Sequence, residues 1–291
     1  MTLQLINRAE INTSRWNDMI SRYAAGLPYA FTYYLDLITE GKWMAVVSGD
    51  YDWVMPLPYN RKLGGLRQFY QPFFCQQLGI YGNIMPDINQ QNELFTLLKK
   101  KAIRTHIALN ELNNQIEHLP LKEKINLVLP LDEEYDHISK QYSEYQKRKI
   151  KKNKDYINIE VSHDFQLFCN LYYKYTLTKI NSPIKKAWLN RYFSGIEKTK
   201  LANIIFATNE KNSIIAGLMY LQTPERIVAL LPFSDTIYKE FSGQALIIDH
   251  LIRSNSEKSM VLDFEGSSIP GVARFYQSFG AISRNYKILS I

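Results

Sequence analysis

Three apolar segments between residues 202 and 234 place the strongest constraint on the fold of this chain. They read "ANIIFATNE", "SIIAGLMYLQ" and "RIVALLPFS", and only two short turn signals, Glu210-Lys211-Asn212 and Thr223-Pro224, separate them. Connections this short join antiparallel neighbours, because parallel strands need a crossover of a dozen or more residues. The sequence therefore predicts a three-stranded antiparallel meander.

Helices and strands predicted around the meander give a mixed α+β order. Two helices precede it, at 164–178 and 184–198, and a helix at 243–254, a strand from 261, a helix at 270–278 and a last strand at 281–291 follow it. The N-terminal half also begins with helices, continues through strands in "WMAVVSGDYDWVMPLPY", and ends with a further helix and strand. Both halves are therefore compatible with two copies of one α+β unit.

The length and a change in composition indicate where the two copies meet. A chain of 291 residues favours two domains of roughly 130 to 150 residues each. From Asp132 the segment "DEEYDHISKQYSEYQKRKIKKNKDY" is polar, charged and helical in preference, and it separates the two halves. We therefore expect an N-terminal lobe at 1–131 and a C-terminal lobe at 132–291.

Charge, cysteine content and hydropathy indicate which partners and which cellular location suit the chain. The 35 Lys and Arg against 28 Asp and Glu give a net charge of +7, which suits a polyanionic partner such as nucleic acid, a nucleotide or an acidic membrane face. The two cysteines, Cys75 and Cys169, form no disulfide or zinc pattern. No secretory leader is evident, and the apolar runs are shorter than a membrane span. We expect a cytoplasmic protein, with peripheral membrane association left open.

One segment near the C-terminus resembles a known signature. The stretch "DFEGSSIPGVARFYQSFGA" is similar to the C-terminal signature of the Fem-type peptidoglycan aminoacyltransferases and the FemAB-like acetyltransferases of the GNAT superfamily. The matching positions are Asp263, Phe264, Gly266, Ser267, Gly271, Phe275, Phe279 and Gly280. The segment 145–179 resembles the opening of the second lobe in these families, and "QPFFCQQLGIYG" resembles part of the first lobe. The similarity spans nearly the whole chain.

The resemblance implies a fold, an activity and a donor. The fold class is α+β with two GNAT-like lobes in tandem, each a mixed sheet flanked by helices. The activity is transfer of an acyl or aminoacyl group onto an amine in cell-envelope or polysaccharide metabolism, with acyl-CoA, such as acetyl-CoA, as donor and a small molecule or cell-wall precursor as acceptor. A tRNA donor is disfavoured, because the chain has no insertion long enough for the helical arm that tRNA-using relatives often have.

The segment "EFSGQALIIDHLI" resembles the GNAT loop that holds the diphosphate of CoA. Gly243 and Ala245 are in register with that loop, whereas Glu240 stands where Gln or Arg is usual. The resemblance implies a cofactor site at Ser242, Gly243, Gln244 and Ala245. A helix that begins at Gly243 would leave backbone N–H groups for an anion, although an ordinary helix start explains the same residues.

Two carboxylates and a tyrosine are the candidate catalytic groups. Residues two apart on a strand share a face, so Asp263 and Glu265 are expected to point the same way before the Gly-Ser-Ser turn. When an amine attacks an acyl carbonyl, one group must accept a proton and another must return one. Glu265 or Asp263 is the candidate base and Tyr276 the candidate acid. In the alternative, Asp263 braces the turn through hydrogen bonds to its N–H groups.

The remaining candidates are a basic run and an aromatic cluster. "KRKIKKNK", which begins with Lys147 and Arg148, has six positive charges in eight positions and could bind a phosphate or form a hydrated face. In "FYQPFFCQQLGIYG", Tyr70, Gln71 and Gln76 are the polar members that could face a ligand between lobes, within a cluster that is otherwise core and pocket wall.

Metal chemistry is not indicated, and a second function class stays open. The histidines stand apart from one another and from cysteine, so no metal ligand set is predicted; they are His106, His118, His137, His163 and His250. The altered loop at Glu240 favours a second hypothesis, a non-catalytic GNAT-like protein that binds a nucleotide-linked or acidic ligand without turnover.

Overall fold

The computed structural model describes residues 3–180, 182–266 and 268–291, and these divide into two compact units. The first unit comprises residues up to Ile125 together with Arg284–Ile291, and the second comprises Asn126–Ser283. Each has its own sheet and helices.

The first unit is built on one mixed sheet. Its strands are β1 (Leu3–Asn7), β2 (Trp43–Ser48), β3 (Trp53–Arg61), β4 (Arg67–Tyr70), β5 (Tyr81–Gly82), β6 (Arg104–Ala108), β7 (Leu121–Lys124) and β15 (Tyr286–Ser290), and its helices are α1 (Thr13–Tyr23), α2 (Thr32–Thr39) and α3 (Ile88–Lys101). The order is β1-β2-β3-β4-β6-β15-β7, with β5 paired to β3. Among these described pairs β4 and β6 run parallel and the others antiparallel.

The second unit repeats this plan. Its strands are β8 (Leu127–Pro130), β9 (Ile157–Ser162), β10 (Ala202–Asn209), β11 (Ile214–Gln222), β12 (Arg226–Ser234), β13 (Val261–Asp263) and β14 (Ile282–Ser283), and its helices are α4 (Tyr135–Lys140), α5 (Glu144–Asn153), α6 (Phe165–Tyr172), α7 (Lys186–Ile196), α8 (Gly243–Asn255) and α9 (Pro270–Gln277). The order is β14-β8-β13-β12-β11-β10-β9. The predicted meander is present as β10, β11 and β12.

The parallel pair in each sheet has a helical crossover. In the first unit α3 lies between β4 and β6 in the chain, and in the second α8 lies between β12 and β13. A parallel pair requires such a connection, because a tight turn can only reverse the chain. Both units are therefore α+β layers with a β-α-β crossover next to an antiparallel meander, as the two-copy hypothesis predicted.

The unit boundaries differ from the predicted break at 131/132. Strand β8 pairs with β13, so the chain enters the second unit at Asn126. The segment 281–291 was predicted as one strand, but it forms two: β14 pairs with β8 in the second unit, and β15 pairs with β6 and β7 in the first. Pattern and composition do not contain this information, because the choice of partner strand is made by tertiary pairing.

Helix α8 is the central helix of the second unit. Most of its residues are buried around the whole circumference, as expected for a helix with packed layers on two sides. It contacts β10 and β11 on one side and α5 on another. Behind the sheet, Phe168 of α6 contacts the rings of Phe193, Phe206 and Phe233. None of the helices in the described residues is long and apolar enough to span a membrane.

A substitution at Gly217 on β11 tests how tightly this aromatic layer is packed. A Cβ at this position would overlap the ring of Phe233 and lie 2.9 Å from Cδ1 of Phe206. We expect Gly217→Ala to lower the free energy of unfolding by about 1–3 kcal/mol, the usual cost of overpacking a core. Denaturant unfolding followed by circular dichroism measures this change.

The matched control is Gly271→Ala on α9. No atom lies within 4 Å of a Cβ built there, and the position is helical. Alanine is favoured over glycine in a helix, so the control should be neutral or stabilise by up to about 1 kcal/mol. Equal destabilisation by the two substitutions would contradict the packing account of Gly217.

Candidate functional site

A cavity of about 380 Å³ opens in the second unit where β12 loses its parallel neighbour. The strands β12 and β13 are paired only from Arg226–Val261 to Val228–Asp263, and β12 then continues to Ser234. A one-residue bulge in β12 between Val228 and Leu231 also alters its pairing with β11. The cavity is lined by Pro232 and Ser234 of β12, Ser242 to Ala245 at the start of α8, Gly271, Val272, Phe275 and Tyr276 of α9, and Lys149 of α5, together with Ile215, Asp235, Tyr238 and Lys239.

The first turn of α8 presents backbone donors to this cavity. Ser242 precedes the helix with φ of 54°, and its side chain makes no capping hydrogen bond. The first α8 N–H groups with a partner are those of Ala245 and Leu246, which donate to the carbonyl of Ser242. Among the described residues, the N–H groups of Gly243 and Gln244 have no acceptor. Such a helix start attracts anions, because unpaired N–H groups combine with the positive end of the helix dipole.

Gly243 is required by the packing of α8 on the sheet. A Cβ at this position would lie 2.8 Å from Cβ of Ala216 and 3.2 Å from Cγ1 of Ile215. The glycine therefore lets the helix start approach β11 closely, and its Cα is buried while the N–H groups of the same turn remain unpaired. The helix-start explanation and the anion-site explanation both apply to this turn.

The side chain of Gln244 is already engaged within the sheet. Its Nε2 donates to the carbonyls of Gly217 at 2.7 Å and of Phe233 at 2.6 Å, so it joins β11 and β12. The side-chain Nε2 of Gln244 is therefore not available to a ligand, whereas its backbone N–H is. Its amide side chain holds the two strands in the register that shapes the cavity wall.

Two lysines make the cavity electropositive. Lys149 and Lys239 both line it, and the Lys149 ammonium lies 4.6 Å from the ring centroid of Tyr145. Asp235 is the carboxylate of the described lining, and its two oxygens accept from the Tyr175 hydroxyl and from its local turn. Glu240, which replaces the usual Gln or Arg, is exposed and outside the lining.

Tyr276 brings a phenol to the same cavity. Its ring stacks on Phe264 with 4.4 Å between centroids. Burial raises the pKa of Tyr276 well above its usual range, and the negative charge of Glu265 raises it further. The hydroxyl is therefore protonated at neutral pH, as an unperturbed phenol also is, and the raised pKa makes it a weaker acid than free tyrosine.

Glu265 is electrostatically coupled to a second tyrosine that the sequence did not single out. Burial and then the charge of Glu265 raise the pKa of Tyr172, at the end of α6. Tyr172 stacks on Phe168 within the helix, so its pattern in the sequence is that of an ordinary core residue. No signal in the sequence alone distinguishes it from its aromatic neighbours.

The predicted shared face of Asp263 and Glu265 is wrong, because β13 ends at Asp263. Glu265 and Gly266 both adopt left-handed backbone conformations, with φ of 48° and 57°, so strand alternation stops before them. Asp263 is fully buried, whereas Glu265 is half-buried. Helix α9 begins at Pro270 as predicted. Ser267 of the signature lies outside the described residues.

Asp263 is held in a buried ion pair. Its Oδ2 accepts from Nη1 of Arg226 at 2.6 Å, and both side chains are at most 1% exposed. Its Oδ1 accepts from Nδ2 of Asn126 at 2.9 Å and from the N–H of Glu265 at 3.1 Å. This geometry favours bracing of the turn through the N–H of Glu265. The predicted donor at Ser267 lies outside the described residues.

The other predicted binding residues are not among the side chains that line this cavity. In the first unit, Gln71 bonds the carbonyl of Cys75 at 2.7 Å and the N–H of Ala108 at 2.9 Å, and Gln76 accepts from Gln77. Burial raises the pKa of Tyr70 at the end of β4. These contacts brace the loop after β4. In the second unit, Lys147 pairs with Glu144 at 3.0 Å, and Arg148 is exposed and bonds the Glu144 carbonyl.

Across the described residues, no three His, Cys, Asp or Glu side chains are grouped so that they could hold a metal ion. The cavity itself presents backbone donors, lysines, a carboxylate and phenols.

Comparison with known proteins supports the fold. Neither a family model nor a curated protein sequence matches the chain. Among solved structures, FemX superposes with a TM-score of 0.67 at 11% identity, covering 99% of this chain and 97% of FemX. The chain has the fold of FemX. The fold class, two GNAT-like α+β lobes in tandem, is thereby confirmed, and so is the resemblance to Fem-type proteins at the level of the fold.

Two further structures share the FemX fold. The C-terminal domain of an Agrobacterium fabrum protein designated a lysylphosphatidylglycerol synthetase matches with a TM-score of 0.58 at 10% identity, covering 98% of this chain and 92% of that domain. L-PGS from Bacillus licheniformis matches with a TM-score of 0.56 at 10% identity, covering 95% and 91%. At these identities the likeness is one of backbone architecture.

The Arg226–Asp263 pair generates a stability prediction. Arg226→Met leaves the Asp263 carboxylate buried without its counter-ion, so we expect the free energy of unfolding to fall by about 3–5 kcal/mol. Adding Asp263→Asn removes the uncompensated charge and should recover part of the loss. Urea unfolding of the two variants measures the difference, and a double variant no more stable than Arg226→Met would contradict the account.

Proposed function

We propose that this protein is an N-acyltransferase whose second unit binds an acyl-CoA donor at the start of α8. The observation on which this depends is the set of unpaired N–H groups at Gly243 and Gln244, which line a cavity together with Lys149 and Lys239. A diphosphate is matched by this set, because helix N-termini and ammonium groups both stabilise phosphate oxygens. The thioester of the bound donor supplies the activated acyl group.

The proton transfers are assigned to Glu265 and Tyr276. An attacking amine must lose a proton, and the half-buried Glu265 carboxylate is the proposed acceptor. The leaving thiolate must gain a proton, and Tyr276 is the proposed donor because it lines the cavity as a protonated phenol. Asp263 is proposed as a positioning residue, since it accepts a hydrogen bond from the Glu265 N–H.

The acceptor is proposed to be an amine of the cell envelope or of a polysaccharide, such as a cell-wall precursor. This proposal is supported by the Fem-type signature at 263–281 and by the FemX fold. The protein from Agrobacterium fabrum is designated a lysylphosphatidylglycerol synthetase. An aminoacyl group in place of a simple acyl group is therefore a second form of the proposed donor. A charged tRNA is the less favoured source, because the described residues form no long helical arm.

A non-catalytic binding protein is the second candidate. It is favoured by one observation, the Glu240 carboxylate in place of the usual Gln or Arg of the phosphate loop. In that case the cavity would bind a nucleotide-linked or acidic ligand without turnover. Donor binding and turnover are therefore measured separately.

Calorimetric titration with acetyl-CoA tests the donor site. We expect binding to weaken about tenfold in Lys239→Ala, the loss typical of one charged hydrogen bond. Lys211→Ala removes an exposed lysine outside the cavity and is the matched control. Absence of acetyl-CoA binding by the unaltered protein would reject the CoA donor, and equal weakening by both variants would reject the proposed site.

Glu265→Gln tests the base once a panel of amines has given a substrate. This change preserves shape and removes the charge, so kcat should fall by about a hundredfold with the fold intact. Glu240→Gln, an exposed position outside the lining, should leave kcat unchanged. Unchanged turnover in Glu265→Gln would remove Glu265 from the mechanism.

A further inference from the structure

A second cavity in the same unit is lined mainly by cations. It has a volume of about 390 Å³ and lies between α4, α5 and the last turns of α8. Its described lining is Tyr135, Ser139, Lys140, Tyr142, Lys147, Ile150, Lys151, Lys154 and Arg253. Five of these nine side chains are Lys or Arg, and none is Asp or Glu.

The basic run explains why the lysines converge. Lys147, Ile150, Lys151 and Lys154 are spaced by three and four residues, so they lie on one face at the end of α5. Like charges at this spacing repel one another, and within the described part of the chain Lys147 is the one lysine of this face with an ion pair, to Glu144. An anion in the cavity would relieve this repulsion.

On the side of the cavity formed by α4 and α8, a buried carboxylate contacts the lining side chains. Asp249 of α8 accepts from the Tyr135 hydroxyl at 2.7 Å and lies 3.9 Å from Nη2 of Arg253. The Arg253 guanidinium also lies 3.9 Å from the centroid of the Tyr135 ring. These contacts fix Arg253 and Tyr135 in place, so this side of the cavity is preorganised. Asp249 is the buried acidic group behind the cations.

Tyr142 adds a buried hydroxyl that faces the Asp249 carboxylate without a hydrogen bond of ordinary geometry to a described residue. The residue is 4% exposed, its ring packs edge-on against Phe279, and it lines the cavity. Its hydroxyl is buried and has no hydrogen-bond partner among the described residues. Burial and the charge of Asp249 raise the pKa of Tyr142, so the hydroxyl stays protonated. A buried hydroxyl left unpaired is costly unless something binds it.

Stabilisation of helix ends is the competing explanation for the cations. Lys140, Lys151 and Arg253 stand in the last turns of α4, α5 and α8, where positive charge offsets the helix dipole without any ligand. That explanation gives no reason for five cations to line one concave surface.

We propose that this cavity is a binding site for a phosphate-bearing small molecule, separate from the cavity at the start of α8. Its volume lies within the range of small-molecule sites, and a doubly charged phosphate group fits several ammonium groups and a guanidinium at once. The Tyr142 hydroxyl donates the additional hydrogen bond that selects a phosphate oxygen. The lysines Lys149 and Lys147 of α5 face the two different cavities.

Inorganic pyrophosphate is the probe, titrated by calorimetry into the whole chain at low ionic strength. The variant Lys151→Ala/Lys154→Ala should weaken its binding at least about tenfold, as for one or more lost charged hydrogen bonds. Tyr142→Phe, which keeps the ring packing, should weaken binding about three- to tenfold. Lys152→Ala is the control, because Lys152 is exposed on the same helix and outside the lining.

Lys239→Ala separates the two cavities, because Lys239 lines only the one at the start of α8. The proposal is supported if pyrophosphate binding persists in Lys239→Ala and in Lys152→Ala but is lost in Lys151→Ala/Lys154→Ala. Three results would overturn it. These are no binding of pyrophosphate at millimolar concentration, equal weakening by Lys152→Ala, or loss only on Lys239→Ala. Lysine-dependent binding to anionic vesicles without pyrophosphate binding would assign this face to a membrane instead and would also overturn it.

Discussion

The buried ion pair between Arg226 and Asp263 is the contact on which the architecture of the second unit depends. It ties β12 to β13 at the only place where these parallel strands are paired among the described residues. Asp263 also holds Asn126, at the entry to the unit, and the N–H of Glu265. Beyond this point β12 continues beside β11 without β13, and the space on the side that β13 leaves is the cavity at the start of α8. The same carboxylate therefore fixes both the opening and the turn that presents Glu265.

Much of the fold could be predicted from local pattern. The meander β10 to β12 follows from short turns between apolar segments, and α8 and α9 begin at Gly243 and Pro270 as the sequence indicates. What the pattern could not supply is the choice of partner strand. The segment 281–291 has continuous strand character, yet β14 and β15 pair in different sheets. Hydrophobic alternation specifies that a strand forms, whereas its neighbour is selected by packing between residues far apart in sequence.

The sequence predicted the part of the candidate site that depends on local backbone geometry. It did not predict the part that depends on which side chains are buried together. The start of α8 was predicted from the resemblance of its sequence to a phosphate-binding loop, and helix geometry adds that any helix start leaves N–H groups unpaired. Tyr172 and Arg226 were missed, since an aromatic residue in an amphipathic helix and an arginine before a strand have no unusual spacing. Their importance comes from tertiary neighbours, Glu265 for the tyrosine and Asp263 for the arginine. For the same reason, the sequence placed Asp263 and Glu265 on one face, although Asp263 is fully buried and Glu265 is half-buried.

The position of β15 sets the order in which the chain can assemble. This strand lies between β6 and β7 inside the first sheet, and Leu289 pairs with Ile107 across more than half of the sequence. The second unit is continuous from Asn126 to Ser283 and can close its core from its own residues. Closing the first sheet requires a loop that contains that entire unit, and long-range strand pairing of this kind is slow. During synthesis, the segment made first therefore completes its fold last, and β6 and β7 must wait as open strand edges until β15 arrives.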